Sequence, residues 1–461
     1  MSLLWENLDT LVPLLQLVPG LQPVNGTYVP ESQISTADLM VFYHYAAHVR
    51  RLVYTRNLNV PESLLLKICA TPAHRHVFPK LRNLYLWGDG ISRELMLFRT
   101  PSMQDLTIGT DKESWQQADL EVLKSFFGQL PSFATHLISL RMAVPVSGYM
   151  VKTIPALKRL CMLYFRDPQS PPARVVLDRE TFAAISQMEH ITDLRIEAPE
   201  PFVPPVAPAF ARLEKLELFG HLQSVLAALE TCSLSNLINL RIISGYHPSN
   251  VAYHRTLFSS ISWLHLTYLH IRLAGTSSDY PLLGEEVFSP SCLLKLRHMQ
   301  QFFLRLEGGL SLIYNNEDVN RIAKAWPKVQ KIGIVQDPVD DPKTLPNLEA
   351  LAIFARCSLD LMSLTMVLNA REPVLAEPPV TLHRLGFLNL LHSPTSDVAY
   401  VARFIHCVFP CFYPCSLLTK DSSQEWRQIA RALEQFQQII MDERRRANFG
   451  MELFRANQGK T

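Results

Sequence analysis

The sequence predicts an α/β fold built from repeated strand–helix units, and three observations carry that prediction. A short apolar frame recurs along the chain, helical stretches separate its copies, and proline marks four of them. The marked copies are Phe78 to Leu86 (FPKLRNLYL), Ile154 to Met162 (IPALKRLCM), Trp326 to Ile334 (WPKVQKIGI) and Leu345 to Ile353 (LPNLEALAI). Each reads apolar-Pro-x-L-x-x-L-x-L. Proline cannot continue a helical ladder, so it ends the preceding helix. The closing L-x-L step alternates with period two, which predicts a short strand with one buried face.

The same core without proline begins at Met103, Leu137, Ile191, Leu213, Leu237, Leu266, Met299 and Leu385. Helices are expected between cores, over Trp115–Gln129, Glu180–Met188, Leu222–Thr231, Glu317–Ala325 and Val398–Phe409. A strand, a turn and a helix recurring about every 28 residues form the pattern of an irregular leucine-rich-repeat solenoid, or horseshoe, with a parallel inner sheet. One unit cannot bury its own apolar face, so stacked neighbours share a core. The solenoid is expected to run right-handed from about residue 78 to 418. Its sheet should bury Leu84, Leu86, Leu160, Leu194, Ile196, Leu216, Leu218, Leu240, Leu269, Ile332, Leu351 and Leu388. The asparagine usual eight residues past the first leucine is missing, with Asp89 and Ser393 in two copies, so no asparagine ladder is expected. Proline-rich Pro199–Pro208, Asp167–Arg174 and Arg371–Val380 read as loops.

Three regions result: 1–55, a helical N-terminal region; 56–418, the solenoid; and 419–461, a C-terminal capping helix and tail. The first holds an apolar stretch from Leu4 to Val18 and a helix from Asp38 to about Val53. In the last, Ser422–Glu425 reads as a capping box. It opens a helix with Trp426, Ile429, Leu433, Phe436 and Ile440 on one face and Arg444, Arg445 and Arg446 near its end.

Composition bounds the function. The 461 residues are 48% hydrophobic and 19% charged, which excludes wholesale disorder. A net charge of +2 gives no global electrostatic case for nucleic acid or an anionic membrane. Eight scattered cysteines, no signal-peptide start and no long apolar run point to a reduced, intracellular protein, cytoplasmic or nuclear. Cys407, Cys411 and Cys415, beside His406, lack a usual zinc spacing. Cys407 is expected on a helix and Cys415 in a last edge strand. Gly88-Asp89-Gly90 reads as a turn, and Gly459-Lys460-Thr461 lacks the rest of a phosphate loop. The acidic pairs Glu285–Glu286 and Asp340–Asp341 are expected to be solvated. No catalytic, metal or cofactor site is expected.

The informative residues lie opposite the buried leucines. Alternation sends every second strand residue to the concave face. There stand Asn83, Tyr85 and Trp87; Ser139 and Arg141; Asp193 and Arg195; Lys215 and Phe219. Asn239 and Arg241 follow, then Tyr268, His270 and Arg272, and last Gln301, Phe303 and Arg305. Arginine and aromatic side chains dominate interface energetics. Tyr85, Trp87, Arg141, Arg195, Phe219, Arg241, Tyr268, Arg272, Phe303 and Arg305 are therefore the candidate protein-binding residues, with a preference for acidic partners. Charge reversal at Arg195 and Arg241 is expected to weaken binding and leave stability nearly unchanged.

Two stretches carry a resemblance. Leu4 to Pro19 (LWENLDTLVPLLQLVP) and Val41 to Leu52 (VFYHYAAHVRRL) resemble fungal F-box proteins with leucine-rich repeats. The first is similar to the last helix of the F-box-like segment and its exit, the second to the helix that follows. The resemblance implies a non-catalytic substrate-receptor subunit of a cullin-type (SCF) ubiquitin ligase. Met1 falls inside the last F-box helix, so the helices that grip the adaptor are expected to be missing. Leu4, Trp5, Leu8, Leu11, Val12 and Leu15 would then form one helical face that covers the first repeat. Adaptor binding would need an F-box upstream. The alternatives are a freestanding leucine-rich-repeat scaffold and an enzyme with a dispersed site.

Overall fold

The computed structural model describes residues 2–458 apart from 25–26, 31–33, 56–61, 71–75, 89–93, 110–116, 145–147, 166–178, 199–209, 233, 248–250, 276–280, 339–341, 373, 375–376, 413 and 418–422. The chain forms two compact units, residues 1–220 with 230–236 and residues 221–229 with 237–461.

The first unit carries eight parallel strands in chain order: Asn7–Leu8, Arg51–Thr55, Asn83–Trp87, Asp105–Gly109, Ser139–Ala143, Met162–Phe165, Asp193–Glu197 and Lys215–Gly220. Parallel neighbours need a crossover between them. Helices such as Glu62–Ala70, Gln117–Phe133 and Arg179–Ser186 serve here. Register aligns Leu8, Leu52, Leu84, Leu106, Leu140, Leu163, Leu194 and Leu216 in a single row. All eight are buried. Each fully buried leucine stabilises by about 1.5–3 kcal/mol relative to exposure, so this row forms the spine of the unit.

The second unit repeats the scheme over six strands: Asn239–His247, Tyr268–Gly275, Gln301–Glu307, Lys331–Val335, Ser363–Met366 and Phe387–Asn389. Its spine is Leu240, Leu269, Phe302, Ile332, Leu364 and Leu388. Both units use one backbone device where the chain turns into a strand: a single carbonyl accepts two successive N–H groups of the next strand. Arg50 O accepts from Arg82 N and Asn83 N at 2.7 and 3.0 Å, and Thr267 O accepts from Gln300 N and Gln301 N at 2.8 and 3.0 Å. This satisfies buried backbone groups without side chains.

Several expectations need correction. Residues Leu4–Val18 are not one helix: Ser2–Trp5 and Val12–Leu15 are short helices, and Asn7–Leu8 between them pairs with Arg51–Leu52. The expected helix from Asp38 to Val53 ends at Ala46, and Arg51–Thr55 is a strand. Val49-x-x-Leu52-x-Tyr54 is thus a further core, with tyrosine in its last place. The second proline-marked core slides by three residues. Leu160-x-x-Leu163-x-Phe165 forms the strand, so Leu160 lies buried just before it. Leu345–Ile353 is not a strand. Glu349–Cys357 is helical, which places buried Leu351 on a helix, and the strand falls on Leu361-x-x-Leu364-x-Met366. The other ten expected positions are buried in strands.

With that shift Asn369 takes the place of the usual asparagine, and its Oδ1 accepts from Arg371 N at 3.1 Å. Asp337 accepts from Gly308 N at 2.8 Å and Ser393 from Leu368 N at 2.9 Å. A mixed Asp–Asn–Ser series therefore serves turns of the second unit where no ladder was expected. Pro414–Leu417 is a 3-10 turn, not an edge strand, while Cys407 sits on helix Val398–Val408 as expected. The C-terminal helix, Gln424–Gln458, is capped by Ser423, whose hydroxyl accepts from Trp426 N at 3.5 Å. Ser422 lies outside the described residues, as do Asp89–Gly90, Asp340–Asp341 and Gly459–Thr461. Glu286 is not simply solvated, since Arg255 Nε donates to it at 2.8 Å.

Candidate functional site

The strand face opposite the leucine spine behaves differently in the two units. In the first it is a closed set of internal pairings. The Tyr164 ring lies between two guanidiniums, with Arg141 5.1 Å and Arg195 4.5 Å from its centroid. Its hydroxyl donates to Asp193 Oδ2 at 2.7 Å. Burial, that hydrogen bond and the charge of Asp193 push the phenol up to about 12. Arg195 Nε sits 3.2 Å from Glu217 Oε2, and Lys215 Nζ 3.9 Å from Asp193 Oδ2. Burial raises the Asp105 carboxyl, while the Arg141 charge and a hydrogen bond from Ser139 pull against it. Arg51 stacks 5.5 Å over Tyr85, and the Trp87 ring fills the space a side chain at Gly109 would need. Cations and carboxylates alternate across this face and answer one another.

Phe219 departs from the expectation. The strand is buried continuously from Leu216 to Phe219, so alternation fails there and Phe219 presents nothing to an open face.

In the second unit the same face gathers arginines around aromatic rings. Register places Arg241, His270, Phe303 and Gly333 in one row across four strands, with Arg272 and Arg305 paired in the next. Phe303 lies on Gly333, where a Cβ would stand 2.6 Å from its Cδ1. Tyr268 and His270 close around it, with ring centroids 6.3 and 5.8 Å from that of Phe303. Glu307 joins two arginines: Arg272 Nε donates to its Oε2 at 2.9 Å, and Arg305 Nε lies 2.5 Å from its Oε1. Two guanidiniums thus share the Glu307 carboxylate beside an aromatic platform, and Arg241 stands in the same row as that platform. The arginines keep contact with solvent, the Arg272 and Arg305 side chains being 43% and 53% exposed. Burial first, and then Arg241, Arg272 and Arg305, depress the His270 imidazolium to about 4. His270 is therefore neutral at pH 7 and serves as part of the platform.

Arg241, Tyr268, Arg272, Phe303 and Arg305 are accordingly brought together as one site. Tyr85, Trp87, Arg141 and Arg195 lie on the face of the other unit, tied into its own pairings. Reasoning from sequence missed Tyr164, Glu217 and Glu307. Glu307 was accessible, since alternation carried one step past Arg305 reaches it. The cluster supplies anion recognition and aromatic packing. Among the described residues no group of three or more His, Cys, Asp and Glu is placed to hold a metal ion, and no helix is long and apolar enough to cross a membrane.

Comparison with known proteins adds no relative: no family model matches the chain, and no curated protein matches it.

Proposed function

We propose that the chain is a non-catalytic protein-binding module of leucine-rich-repeat type whose second unit receives an acidic segment of a partner protein on its strand face. Half-exposed Arg272 and Arg305, paired across neighbouring strands beside Tyr268, His270 and Phe303, carry this reading. Guanidinium forks match carboxylates and phosphates in pairs, and aromatic side chains give contact area at low entropic cost. The parallel sheets with repeated leucine spines support the repeat assignment.

An array of short peptides that vary only in acidic and aromatic content tests the proposal on the intact chain. Acidic peptides with an aromatic residue should be retained, and retention should fall with salt, because exposed charges are screened over about 8–10 Å. Arg241→Glu with Arg305→Glu should abolish it. The substrate-receptor role is a wider proposal that rests on the resemblance of residues 4–19 and 41–52. Ligase subunits co-purifying with the tagged chain would support it, and their consistent absence beside a stable partner would favour a freestanding scaffold.

A further inference from the structure

A second feature of the 221–229/237–461 unit points to a ligand of another kind. Two successive turns, Ser262–Leu266 and Lys295–His298, bound an open cleft of about 300 Å³. Its floor is apolar, with Leu264, Leu266 and Leu296 buried. Trp263, 51% exposed, forms one wall. His265, Lys295, Arg297 and His298 line the rest and are exposed. No side-chain hydrogen bond or ion pair ties any of these four down among the described residues. Elsewhere in this unit Arg255 holds Glu286, Arg272 and Arg305 hold Glu307, and Arg321 holds Asp318. The four basic side chains of the cleft have no such carboxylate partner among the described residues.

A tryptophan kept half in water loses apolar contact that a flat ring would restore, and it is the strongest stacking partner among side chains. Lysine and arginine are the usual ligands of a phosphate. The volume lies at the small end of ligand pockets, which suits one ring and one phosphate and not an extended chain. We infer that this cleft binds a phosphate joined to a flat ring, with the ring on Trp263 and the phosphate between Lys295 and Arg297. The inference is independent of the strand-face proposal and shares no residue with it.

Two sources present this chemistry, a nucleotide and a phosphotyrosine. Calorimetric titration of the intact chain with adenosine 5′-monophosphate and with O-phosphotyrosine separates them. Adenosine, tyrosine and inorganic phosphate are the partial probes. At least one ring phosphate should bind about tenfold or more tighter than any partial probe, in keeping with the loss that follows removal of a stacked ring. The tighter of the two names the source. Trp263→Ala should bring that ligand down to the affinity of inorganic phosphate, and Trp263→Phe should restore part of the loss. Lys295→Glu with Arg297→Glu should bring it down to the bare ring. All three side chains are exposed, so melting temperatures should match the wild type and confirm that the variants fold. Ring phosphates that bind no better than inorganic phosphate, or binding indifferent to Trp263, would overturn the inference.

Discussion

Replacing Arg195 by methionine keeps the apolar stem and removes two interactions at once. The guanidinium stacks 4.5 Å from the Tyr164 centroid and lies 3.2 Å from Glu217 Oε2. The stack contributes about 0.5–1 kcal/mol at a part-exposed site. Glu217 is only 5% exposed, so it cannot recover its hydration when the cation leaves. A buried acceptor deprived of a partner costs up to about 1–3 kcal/mol. Arg195 itself reaches solvent, so the lower part of that range applies, and the expected loss is about 2 kcal/mol in all. For a unit of this size, that corresponds to roughly 4–8 °C in melting temperature. Arg141→Met removes a stack and a charge that acts on Asp105 without an ion pair, and should cost about 0.5–1 kcal/mol. Adding Glu217→Gln to Arg195→Met should recover part of that loss, up to about 1 kcal/mol, because it removes the buried charge that Arg195 faced. Thermal melts of the intact chain in a double-mutant cycle give both numbers. Equal shifts for Arg141→Met and Arg195→Met, with no coupling to Glu217, would show that these pairings do no structural work. The sequence-based expectation that Arg195 is free to change without loss of stability is replaced by this one.

Three further outcomes follow from single observations. His270 and His254 are both depressed to about 4, the second by burial alone, so both are neutral in the folded chain at pH 7. A base whose folded pKa lies below its unfolded value contributes stability above pH 6.5 that is lost as pH falls towards 4. His270→Phe should flatten part of that acid loss in melts, and His254→Phe should flatten a further part. Gly333→Ala forces a Cβ to 2.6 Å from Phe303, so it should cost about 1–3 kcal/mol and disturb the platform without altering any charge. Retained peptide binding in that variant would show that the aromatic platform is dispensable. Trp426 Nε1 donates to Ser393 O at 2.8 Å, and Trp426→Phe should destabilise the helix docking by about 1 kcal/mol, read by hydrogen exchange along Gln424–Leu433.

The architecture was largely legible because alternation is a strong signal once several copies share a phase. Leu84, Leu140, Leu194, Leu216, Leu240 and Leu269 all fall on the spine where expected. The two misplaced strands, near residues 160 and 350, share one cause: proline does not distinguish the start of a strand from the start of a helix. Before Leu81 and Val329 it leads into a strand. Pro155 opens a 3-10 turn and Pro346 precedes a helix, since proline is also at home at helix starts. Around residue 160 two frames fit, Leu157-x-x-Leu160-x-Met162 and Leu160-x-x-Leu163-x-Phe165, and the proline favoured the wrong one. Spacing would have chosen correctly, because it turns gaps of 20 and 34 residues into 23 and 31. The N-terminal core was hidden by Tyr54 in a leucine position. At the site, alternation found the arginines but not their partners. Whether an arginine is answered by a carboxylate depends on inter-strand register, as with Glu217 beside Arg195, and register is a property of the folded sheet.

The claim that the second unit's strand face receives an acidic partner segment is tested most directly by fluorescence anisotropy. A labelled peptide with several aspartates and one aromatic residue is titrated against the wild-type chain, against Arg241→Glu with Arg305→Glu, and against Arg51→Glu with Arg141→Glu in the other unit. Each lost ion pair at a part-exposed site is worth up to about 1 kcal/mol. Adding like-charge repulsion, the first double variant should weaken binding by tenfold or more, and the second should leave it within about twofold. Equal weakening by both pairs would mean that overall charge alone drives the binding. No change in the first pair would contradict the site.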